Sequence, residues 1–563
     1  MSTSQLSKFA TTLIALIVLL SAICTAQHLK IGSGNTAFAD PPVLRPKTTP
    51  CKVQLYENYK FENFNPQSFP YTPPAGCPGP WAAVILEVNL AITKGIQYDR
   101  TANIWIGPTN IYFGTTSEDQ PNEGRSWHVE RDLTVYSSIF TTAQDGTVDL
   151  GNEVNKTYTG VLHGSADILF YPLAPNQQPP YVADQVIAFS AGPTGGTVAL
   201  DTTGSCCQPV LEETLTLPTN IESVFFDVFA QSQNDDEFWY TCVPDNVANE
   251  LESCTNTAFR EAEVTIDGTP AGVAPIYPWI FTGGIDPYLW IPVPGVQTLN
   301  FKPYQVNLTP FAALLSNGQQ HTIGLSVFNA DDYFSATANL RLYLDSGSTQ
   351  ITGAVTTNTL AAPVPNVTEN LKTTSKGYIH GSVNTTSSHN FEISGYANTS
   401  HGTVTTTVDQ DIKFANDQYF DITNIEYEQN IKQTSTLHSV VTTNDSSGNT
   451  VYTVNHDWPL LLNITVLVAP DGSETQTTTS NQYFEEDEAA KHNGQAINFS
   501  LVQNRVTTTD TLNFNSSGGF TGNSGQASAQ TYFGSNSTGY CYSRAITAAA
   551  NVLTGITNGE GCN

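Results

Sequence analysis

Alternation of apolar and polar residues with a period of two is the feature of this chain that most restricts its fold. It is clear in VILEVNLAI (84–92) and recurs in SVFFDVFAQ (223–231), EAEVTIDG (261–268), HTIGLSVFN (321–329) and NLRLYLD (339–345). This period predicts β-strands with one face toward a core. Turn pairs such as Asp145–Gly146, Asp267–Gly268 and Asn317–Gly318 separate the strands, and amphipathic helices are few. The chain is therefore predicted to be all-β, built of sandwiches or barrels.

Two changes in composition indicate domain boundaries in this chain of 563 residues. The stretch 191–205 is rich in Gly and Thr, and 345–368 is rich in Thr, Ala and Pro. They predict a first β-domain over 43–190, a second over 206–346 and a third β-rich region over 366–563. The third region is rich in Thr and Asn but keeps alternating runs such as TVTTTVDQDIKF, so we expect it to fold.

The N-terminus resembles a secretory signal. Lys8 precedes an apolar run, and Cys24–Thr25–Ala26 supplies small residues for cleavage after Ala26. The run is short for a membrane span, and no later apolar run reaches about 18 residues. Residues 1–26 are therefore predicted to be a signal peptide. We expect a protein without a membrane anchor that is secreted or held in an acidic compartment of the secretory pathway.

Cysteines and glycosylation sequons agree with export. Eight cysteines follow the signal, an even number that indicates disulfides. The most local pairing is Cys51–Cys77, Cys242–Cys254 and Cys541–Cys562, which leaves the adjacent Cys206–Cys207. Asn-x-Ser/Thr sequons, which predict glycosylated surface loops, stand at Asn155, Asn307, Asn366, Asn384, Asn398, Asn444, Asn463, Asn498, Asn515 and Asn536.

The formal net charge of −30 arises because Lys and Arg together number only 21. A surface of this sign repels nucleic acid, so nucleic-acid partners are not expected. It also repels anionic membranes. The low pI of about 4.4 fits an acidic working environment, although many exported proteins are acidic without working in acid.

Motif searches exclude several chemistries. The chain has no G-x-S-x-G elbow, no H-E-x-x-H and no Gly-rich phosphate loop, and its ten His residues lack metal-ligand spacing. We therefore expect neither a metal nor a cofactor. Carboxylates and aromatic residues remain, which is the usual equipment of sites that act on sugars.

Two clusters combine these residue types. In GIQYDRTANIWIG (95–107), Asp99 and Arg100 stand at the start of a predicted strand, with Asp99 on the face opposite Ala102 and Ile104. In NDDEFWYTC (234–242), three acids precede Phe238, Trp239 and Tyr240. Composition alone favours a solvated turn for 234–242 and a strand-end ion pair for Asp99.

These motifs resemble the peptide-N-glycosidase A family, the acidic secreted peptide-N4-(N-acetyl-β-glucosaminyl)asparagine amidases of plants and fungi. The resemblance is carried, in order, by GIQYDRTANIWIG, TTSEDQP (115–121), WHVERDLTVYSSIF (127–140) and NDDEFWYTC, and it extends from about Val43 to the C-terminus. It implies a hydrolase that acts on an N-glycopeptide or glycoprotein, with no cofactor.

A fainter similarity connects the chain with bacterial peptide-N-glycosidase F. That family implies two jelly-roll domains side by side with the active site at their interface. Its W-D-R-Y-A-N-V-Y-V stretch is similar to YDRTANIWI and implies a catalytic role for Asp99. Its C-A-E-W-C stretch is similar to DDEFWYTC and implies one for Glu237. A further glutamate of that family has no counterpart, because Gly160 stands at the corresponding place, so Glu118 is the substitute candidate.

The remaining site assignments follow from these two carboxylates. Arg100 is expected to hold Asp99 ionised or to pair with Glu237. Trp239, Tyr240 and Trp290 are candidates for stacking on sugars, with core packing as the alternative. The competing functions are a glycosidase with two catalytic carboxylates and a lectin-like β-sandwich of the cell surface.

Overall fold

The first eight strands of the computed structural model, which describes residues 29–118, 123–202 and 207–562, form a sandwich of two antiparallel sheets. The strands are β1 (Cys51–Phe61), β2 (Gln67–Tyr71), β3 (Trp81–Ile92), β4 (Thr101–Ile106), β5 (Thr109–Thr115), β6 (Arg125–Asp132), β7 (Gln144–Leu150) and β8 (Leu162–Pro172). Their orders, β1-β8-β3-β6 and β2-β7-β4-β5, are those of a jelly roll. A 3₁₀-helix, Thr134–Thr141, joins β6 to β7.

The second sandwich repeats this topology. Its strands are β9 (Gln185–Phe189), β10 (Val198–Leu200), β11 (Leu211–Thr216), β12 (Ile221–Gln233), β13 (Glu261–Ile266), β14 (Thr269–Pro275), β15 (Tyr304–Asn307), β16 (Gln320–Phe328) and β17 (Tyr333–Leu344). The sheets run β10-β17-β12-β15 and β11-β16-β13-β14, and β9 adds to β17. With β10 counted as the first strand, these orders match those of the first sandwich. The helices of this region are short: Asn234–Asp236, Trp239–Thr241, Asp245–Ala248, Pro287–Trp290, Thr309–Phe311 and Ala312–Leu315.

The third region is one twelve-stranded antiparallel sheet with strands of up to 21 residues. Its strands are β18 (Thr352–Asn358), β19 (Asn366–Thr373), β20 (Ile379–Thr399), β21 (Gly402–Ile422), β22 (Glu426–Asp445), β23 (Gly448–Asp457), β24 (Leu460–Val468), β25 (Glu474–His492), β26 (Gln495–Phe514), β27 (Phe520–Asn536), β28 (Cys541–Ala549) and β29 (Val552–Asn558). The prediction of an all-β fold is confirmed.

The alternating residues form the cores as the period predicts. In β3, Leu86, Val88, Leu90 and Ile92 are all at most 3% exposed and belong to the core of the first sandwich. Each such side chain contributes about 1.5–3 kcal/mol on burial. The core of the second sandwich continues into the long sheet without a break, for instance through Phe414.

The long sheet contacts the second sandwich through buried amide side chains. The Nδ2 group of Asn416 donates to the Tyr240 carbonyl at 2.9 Å, and the Nε2 group of Gln418 donates to the Cys242 carbonyl at 2.8 Å. Further amides of the sheet donate in the same way to Thr241, Pro278 and Ile291. The second sandwich therefore has its connecting loops fixed from outside, by hydrogen bonds to their backbone.

Two of the three predicted disulfides are present, Cys242–Cys254 and Cys541–Cys562. The prediction of a Cys51–Cys77 bond is wrong for this structure, in which both are free cysteines. Cys51 lies opposite Phe170 in the β1–β8 ladder, and the Cys77 thiol contacts the Phe170 carbonyl at 3.7 Å. The two thiols are close enough to interact, and burial raises the pKa of Cys77 to about 11.

Other predictions fall partly outside the described residues. The proposed signal peptide, 1–26, and Cys206 lie there. None of the ten sequon asparagines is buried. Within residues 29–118, 123–202 and 207–562, no helix has the length and apolar character to cross a membrane.

Candidate active site

The site is formed where loops of the two sandwiches meet. In each sandwich the loop between the third and fourth strands and the loop after the fifth strand contribute. In the first sandwich these loops carry Asp99, just before β4, and Glu118, just after β5. In the second sandwich they carry Glu237, after β12, and Gly283, after β14. The repeated topology thus brings equivalent loops of both sandwiches to one place.

Asp99 is held by both sandwiches. Its backbone N–H donates to Oε2 of Glu118 at 2.9 Å. Its own carboxylate Oδ2 accepts the backbone N–H of Gly283 at 3.1 Å. Glu118 is only 8% exposed, and a hydrogen bond from the Thr282 hydroxyl to the Thr116 carbonyl, 2.7 Å, fixes the two loops beside one another. The carboxylate of Asp99 therefore has a defined position at the interface.

The residue at position 283 must be glycine for steric reasons. A Cβ atom there would lie 2.5 Å from Oδ1 of Asp99 and 3.1 Å from Oε2 of Glu118. The first distance is shorter than real Cβ contacts, and the second is tighter than most of them. Absence of a side chain at Gly283 is what lets the backbone N–H of the second sandwich approach the carboxylate of the first.

The strand that follows Asp99 is buried on both faces. Ala102, Ile104 and Ile106 face the core as predicted, but Trp105, on the face of Asp99, is also fully buried. A Cβ on Gly195 of the second sandwich would lie 2.3 Å from its ring. The face of Asp99 is therefore the face that meets the second sandwich.

Glu237 approaches Asp99 from the second sandwich. It caps the 3₁₀-helix Asn234–Asp236, with its N–H donating to the Asn234 carbonyl at 2.9 Å. Asn234 has a φ of 50°, a left-handed conformation that Asn adopts more readily than most residues. The Cys242–Cys254 disulfide and the amides of the long sheet fix the chain after Glu237. This sharp turn directs Glu237 to the interface.

Burial dominates the electrostatics of this pair. Burial raises the pKa of Asp99, against the opposing effects of the Gly283 N–H and the positive charge of Arg100. Burial, with the negative charge of Asp99 as the second cause, raises the pKa of Glu237 to about 7. The charge of Asp99 therefore favours the protonated form of Glu237 in mild acid.

The neighbouring acids of Glu237 have other roles. Asp236 is completely buried and forms an ion pair with the equally buried Arg260, 2.8 Å from its Nε. It also accepts the backbone N–H groups of Asp331 and Asp332. Asp235 is exposed. Asp236 therefore anchors the loop. Of the three acids, Glu237 is the one whose pKa is raised by the charge of Asp99.

Arg100 does not pair with Glu237, which was one of the two roles that we expected for it. Its Nη2 donates to Oε1 of Gln97 at 2.9 Å, and its guanidinium lies 5.6 Å from the ring centre of Phe64 and 6.0 Å from that of Tyr98. Neither Asp99 nor Glu237 forms an ion pair among the residues that the structure describes. Arg100 lowers the pKa of Asp99 from a distance, but burial outweighs it.

The three aromatic residues proposed for sugar stacking are buried. Trp239, Tyr240 and Trp290 are at most 1% exposed, and Trp239 packs against Phe414 of the long sheet. The core-packing alternative accounts for them, because all three belong to the core of the second sandwich.

Exposed aromatic residues lie elsewhere around Asp99. Tyr98 is 54% exposed and Phe64 is 61% exposed, and both rings lie near the Arg100 guanidinium. The rings of Tyr98 and Tyr158 are 5.4 Å apart. We call Phe64, Tyr98 and Tyr158 the aromatic ledge. Sequence reasoning missed it and Gly283, although Tyr98 directly precedes Asp99 and a Gly-Gly pair in an aromatic loop was a visible signal.

Gly160, the residue at the place of the missing glutamate, packs against the backbone before Asp99. Its N–H donates to the Ile96 carbonyl at 3.1 Å, and a Cβ on Gly95 would lie 2.5 Å from its nitrogen. No carboxylate stands at that position. Glu118 is the third carboxylate that the structure brings to Asp99.

Among the residues that the structure describes, two groups of side chains have the donor atoms for a metal ion. Glu87, His128 and Glu130 lie on strands of the first sandwich, but Arg45 already bridges the two glutamates at 2.7 and 2.6 Å. The other group is Glu222, Asp345 and His401. None of these residues is on the loops that carry Asp99, Glu118, Glu237 and Gly283.

Two solved structures, titled recombinant peptide: N-glycanase F (PNGase F) and structure of PNGF-II, each share 12% identity with the chain. Their TM-scores are 0.36 and 0.37; the match covers 53% of this chain and 96% of the first structure, and 52% and 66% for the second. At this identity and TM-score, the structural similarity carries no argument about the function of the chain.

Sequence similarity is stronger. Residues 41–361 match the family described as peptide N-acetyl-beta-D-glucosaminyl asparaginase amidase A. Peptide-N4-(N-acetyl-beta-glucosaminyl)asparagine amidase A of Prunus dulcis is 30% identical over 393 residues, which are 67% of each chain. With a family match over more than half of its length, the chain belongs to the peptide N-acetyl-β-D-glucosaminyl asparaginase amidase A family.

Proposed function

We propose that this protein is a secreted amidase that cleaves the side-chain amide bond of a glycosylated Asn, between its carbonyl carbon and the nitrogen that carries the first N-acetylglucosamine. The observation that carries the proposal is the pair of carboxyl groups, Asp99 and Glu237, which come from different sandwiches and act on one another at a partly buried interface. Family membership supplies the class of bond.

The reaction needs a water molecule, a base and an acid. The ionised carboxylate, Asp99, takes a proton from water as the water oxygen attacks the carbonyl carbon of the glycosylated Asn. The bond from that carbon to nitrogen then breaks. Protonated Glu237 gives its proton to the departing nitrogen, which leaves as the glycosylamine and later sheds ammonia. The peptide retains Asp in place of Asn.

The neighbours of Asp99 prepare it for this role. The N–H of Gly283 and the side chain of Glu118 hold the carboxylate and the backbone of Asp99, so that little reorganisation is needed when substrate binds. The raised pKa of Glu237, about 7, keeps this acid protonated in mild acid, where a proton donor is required.

The aromatic ledge is suited to the sugar part of the substrate. Exposed rings bind the apolar faces of pyranoses, and Arg100 near Phe64 and Tyr98 adds donors for hydroxyl groups. Because Tyr98 directly precedes Asp99, a sugar on the ledge lies next to the proposed reacting carboxylate. We assign the ledge the substrate-binding role that the buried Trp239 and Trp290 cannot have.

Export is supported by covalent features of the chain. Cys242–Cys254 and Cys541–Cys562 are disulfides, which persist in oxidising compartments. All ten sequon asparagines retain exposure, as glycosylation requires. These features accompany the signal-like sequence of residues 1–26.

The experiment is mass spectrometry of a short glycopeptide with a single glycosylated Asn, incubated with the full chain in water enriched in ¹⁸O. The proposal predicts Asp with one ¹⁸O in the peptide and an intact released glycan. The same peptide without its glycan is the control and should not change. A shortened glycan would instead indicate a glycosidase, and an unchanged glycopeptide that binds would indicate a lectin. Either outcome contradicts the amidase proposal.

A further inference from the structure

A second pair of carboxyl groups lies behind the loop that carries Gly283. Asp286, three residues after Gly283, is completely buried, and Asp510 on β26 of the long sheet is 1% exposed. Oδ2 of each is buried and receives no N–H or O–H donor, and the two side chains lie within hydrogen-bonding reach of each other. Since two carboxylates have only acceptor atoms, a hydrogen bond between them forms only when one of the two carries a proton.

The Oδ1 atom of each carboxyl group accepts a hydrogen bond from a nearby residue. Oδ1 of Asp286 caps the 3₁₀-helix Pro287–Trp290 by accepting the N–H of Tyr288 at 2.9 Å. Oδ1 of Asp510 accepts Nδ2 of Asn523 at 2.8 Å. The remaining oxygen of each, Oδ2, is buried and has no further partner. The shared proton therefore satisfies two buried atoms that would otherwise be unpaired.

The ionisable surroundings of this pair are anionic or neutral. Tyr288, on the same turn, faces both carboxyl groups, and Glu118 lies beyond it and acts on Tyr288. Asn523 is neutral. Neither Asp286 nor Asp510 forms an ion pair among the residues that the structure describes. Burial, with Asp510 as the second cause, raises the pKa of Asp286 to about 7, and burial also raises that of Asp510.

Asp286 is connected to the catalytic carboxylate through the backbone. Its N–H donates to the Gly284 carbonyl at 2.7 Å, and Nε1 of Trp290 donates to the same carbonyl at 3.0 Å. Gly284 follows Gly283, whose N–H donates to Asp99. Displacement of Asp286 therefore disturbs the turn that presents this N–H to Asp99.

We propose that Asp286 and Asp510 are positioning residues: their shared proton fastens the Gly283 loop to the long sheet in acid, and its loss at higher pH loosens the loop. The link of this pair to catalysis rests on the function proposed above. The attachment of the loop to the sheet does not depend on that function. The other contacts between this loop and the sheet, such as Thr508 Oγ1 to the Leu289 carbonyl at 2.8 Å, involve neutral groups and do not titrate.

The sign of the effect follows from the raised pKa. The folded state favours protonated Asp286, so its stabilisation is complete below the ordinary pKa of 3.8 and is lost as pH rises through about 7. In the window from about 4 to 7 the loop is fastened. At pH 8, one unit above the pKa of Asp286, the balance shifts toward the loosened loop by about tenfold.

The test is hydrogen–deuterium exchange of the full chain at pH 5 and pH 8, followed in peptides covering 281–291 and corrected for intrinsic exchange. In the wild type we expect corrected exchange about tenfold faster at pH 8. In Asp510→Asn the amide donates to Asp286 at both pH values, so the ratio should fall to about one. In Asp286→Asn the new amide donates to Asp510 instead, so the exchange ratio should again fall to about one. Asp417→Asn, an exposed acid of the same sheet, is the matched control and should keep the wild-type ratio.

Equal exchange at both pH values in the wild type, or a tenfold ratio that persists in either Asn variant, would overturn the proposal. The catalytic part has its own readout: kcat on the glycopeptide should fall more steeply between pH 6 and 8 in the wild type than in Asp510→Asn, because the wild type also loses the Gly283 contact with Asp99. An equally steep fall of kcat in both would refute the link to Asp99. If no glycopeptide is cleaved at all, the proposed function fails while the exchange result still stands.

Discussion

The two sandwiches share one strand order but differ in how their site loops are supported. In the first, the loop before β4 is short and is fixed by side chains of its own domain, with Arg100 N–H on the Thr116 hydroxyl and Asp99 N–H on Glu118. In the second, the loops 234–260 and 276–303 are long, and the sheet of the third region holds them through amides.

This difference separates two tasks. The first sandwich supplies the carboxylate of Asp99 on a short, self-contained loop. The second sandwich supplies the partners, Glu237 and the Gly283 N–H, on loops that depend on an external support. Substitutions in the first sandwich should therefore act on chemistry alone, whereas those in the second should divide into chemical, steric and structural effects.

The largest expected effect is at Asp99. Asp99→Asn removes the charge without changing the shape, and we expect turnover of the glycopeptide to fall by about 10²-fold or more. The melting temperature should remain near that of the wild type. Asp145→Asn, an exposed acid of the same sandwich, serves as the control. Retention of a tenth of the activity would show that Asp99 is not the central carboxylate.

In the second sandwich, adjacent acids should respond differently. Glu237→Gln should reduce turnover by about 10²-fold without unfolding. Asp236→Asn should instead lower stability by about 3–5 kcal/mol, because Arg260 is left buried without a charged partner. Asp235→Asn should change neither quantity appreciably. Denaturant unfolding and turnover, measured on all three variants, distinguish these effects. An equal loss of turnover in Asp235→Asn and Glu237→Gln would mean that Glu237 is not the residue equivalent to the catalytic glutamate.

Gly283→Ala tests the contact between the sandwiches. The new methyl group would lie 2.5 Å from Oδ1 of Asp99, so the carboxylate or the loop must move. We expect kcat to fall by about 10- to 100-fold, since a displacement of about 1 Å has effects of this size. Gly76→Ala, where a Cβ meets no atom within 4 Å, is the control. An unchanged kcat in Gly283→Ala would mean that the Gly283 N–H has no part in positioning Asp99.

The pH dependence of turnover should report Glu237. Its pKa is raised to about 7, so the protonated acid is available below that pH and kcat should fall as pH rises through it. The folded state likewise favours protonated Glu237, and this stabilisation, complete below 4.5, is lost as pH rises through about 7. Asp510→Asn should retain the fall of kcat through about pH 7, because Glu237 is unchanged in that variant. An optimum well above neutrality would exclude Glu237 as the proton donor.

Arg100→Gln should have the smallest effect. Arg100 lowers the pKa of Asp99 without a direct ion pair, so its removal should move the acidic limb of the rate profile upward by less than about one pH unit. Arg100→Lys keeps the charge and should restore the wild-type limb. A shift equal in both variants would indicate that Arg100 acts by packing near Phe64 and Tyr98 and not by its charge.

Sequence reasoning identified the strands and the loops because both depend on local order. The period-two pattern of 84–92 correctly predicted the buried face of β3. The similarity of YDRTANIWI to a known motif identified Asp99 as a candidate. Cys242–Cys254 followed from proximity in the chain, but the same argument was wrong for Cys51 and Cys77, which the fold places side by side as thiols.

The remaining features depend on tertiary contacts that no local pattern records. Trp239 stands two residues after Glu237, yet its ring is buried in the core. The need for glycine at position 283 arises from the carboxylate of Asp99, 184 residues earlier in the chain. The pairing of Asp286 with Asp510 likewise joins distant strands. Orientation within a loop and partners across domains therefore had to be read from the structure.

The amide face of the long sheet has a consequence for how the site loops diverge over time. Asn416, Gln418 and Gln429 donate to the backbone carbonyls of residues 240–242, and Gln482 and Gln526 donate to those of Pro278 and Ile291. Every residue has a carbonyl oxygen, whatever its side chain. The loops can therefore exchange side chains while their hydrogen bonds to the sheet are kept.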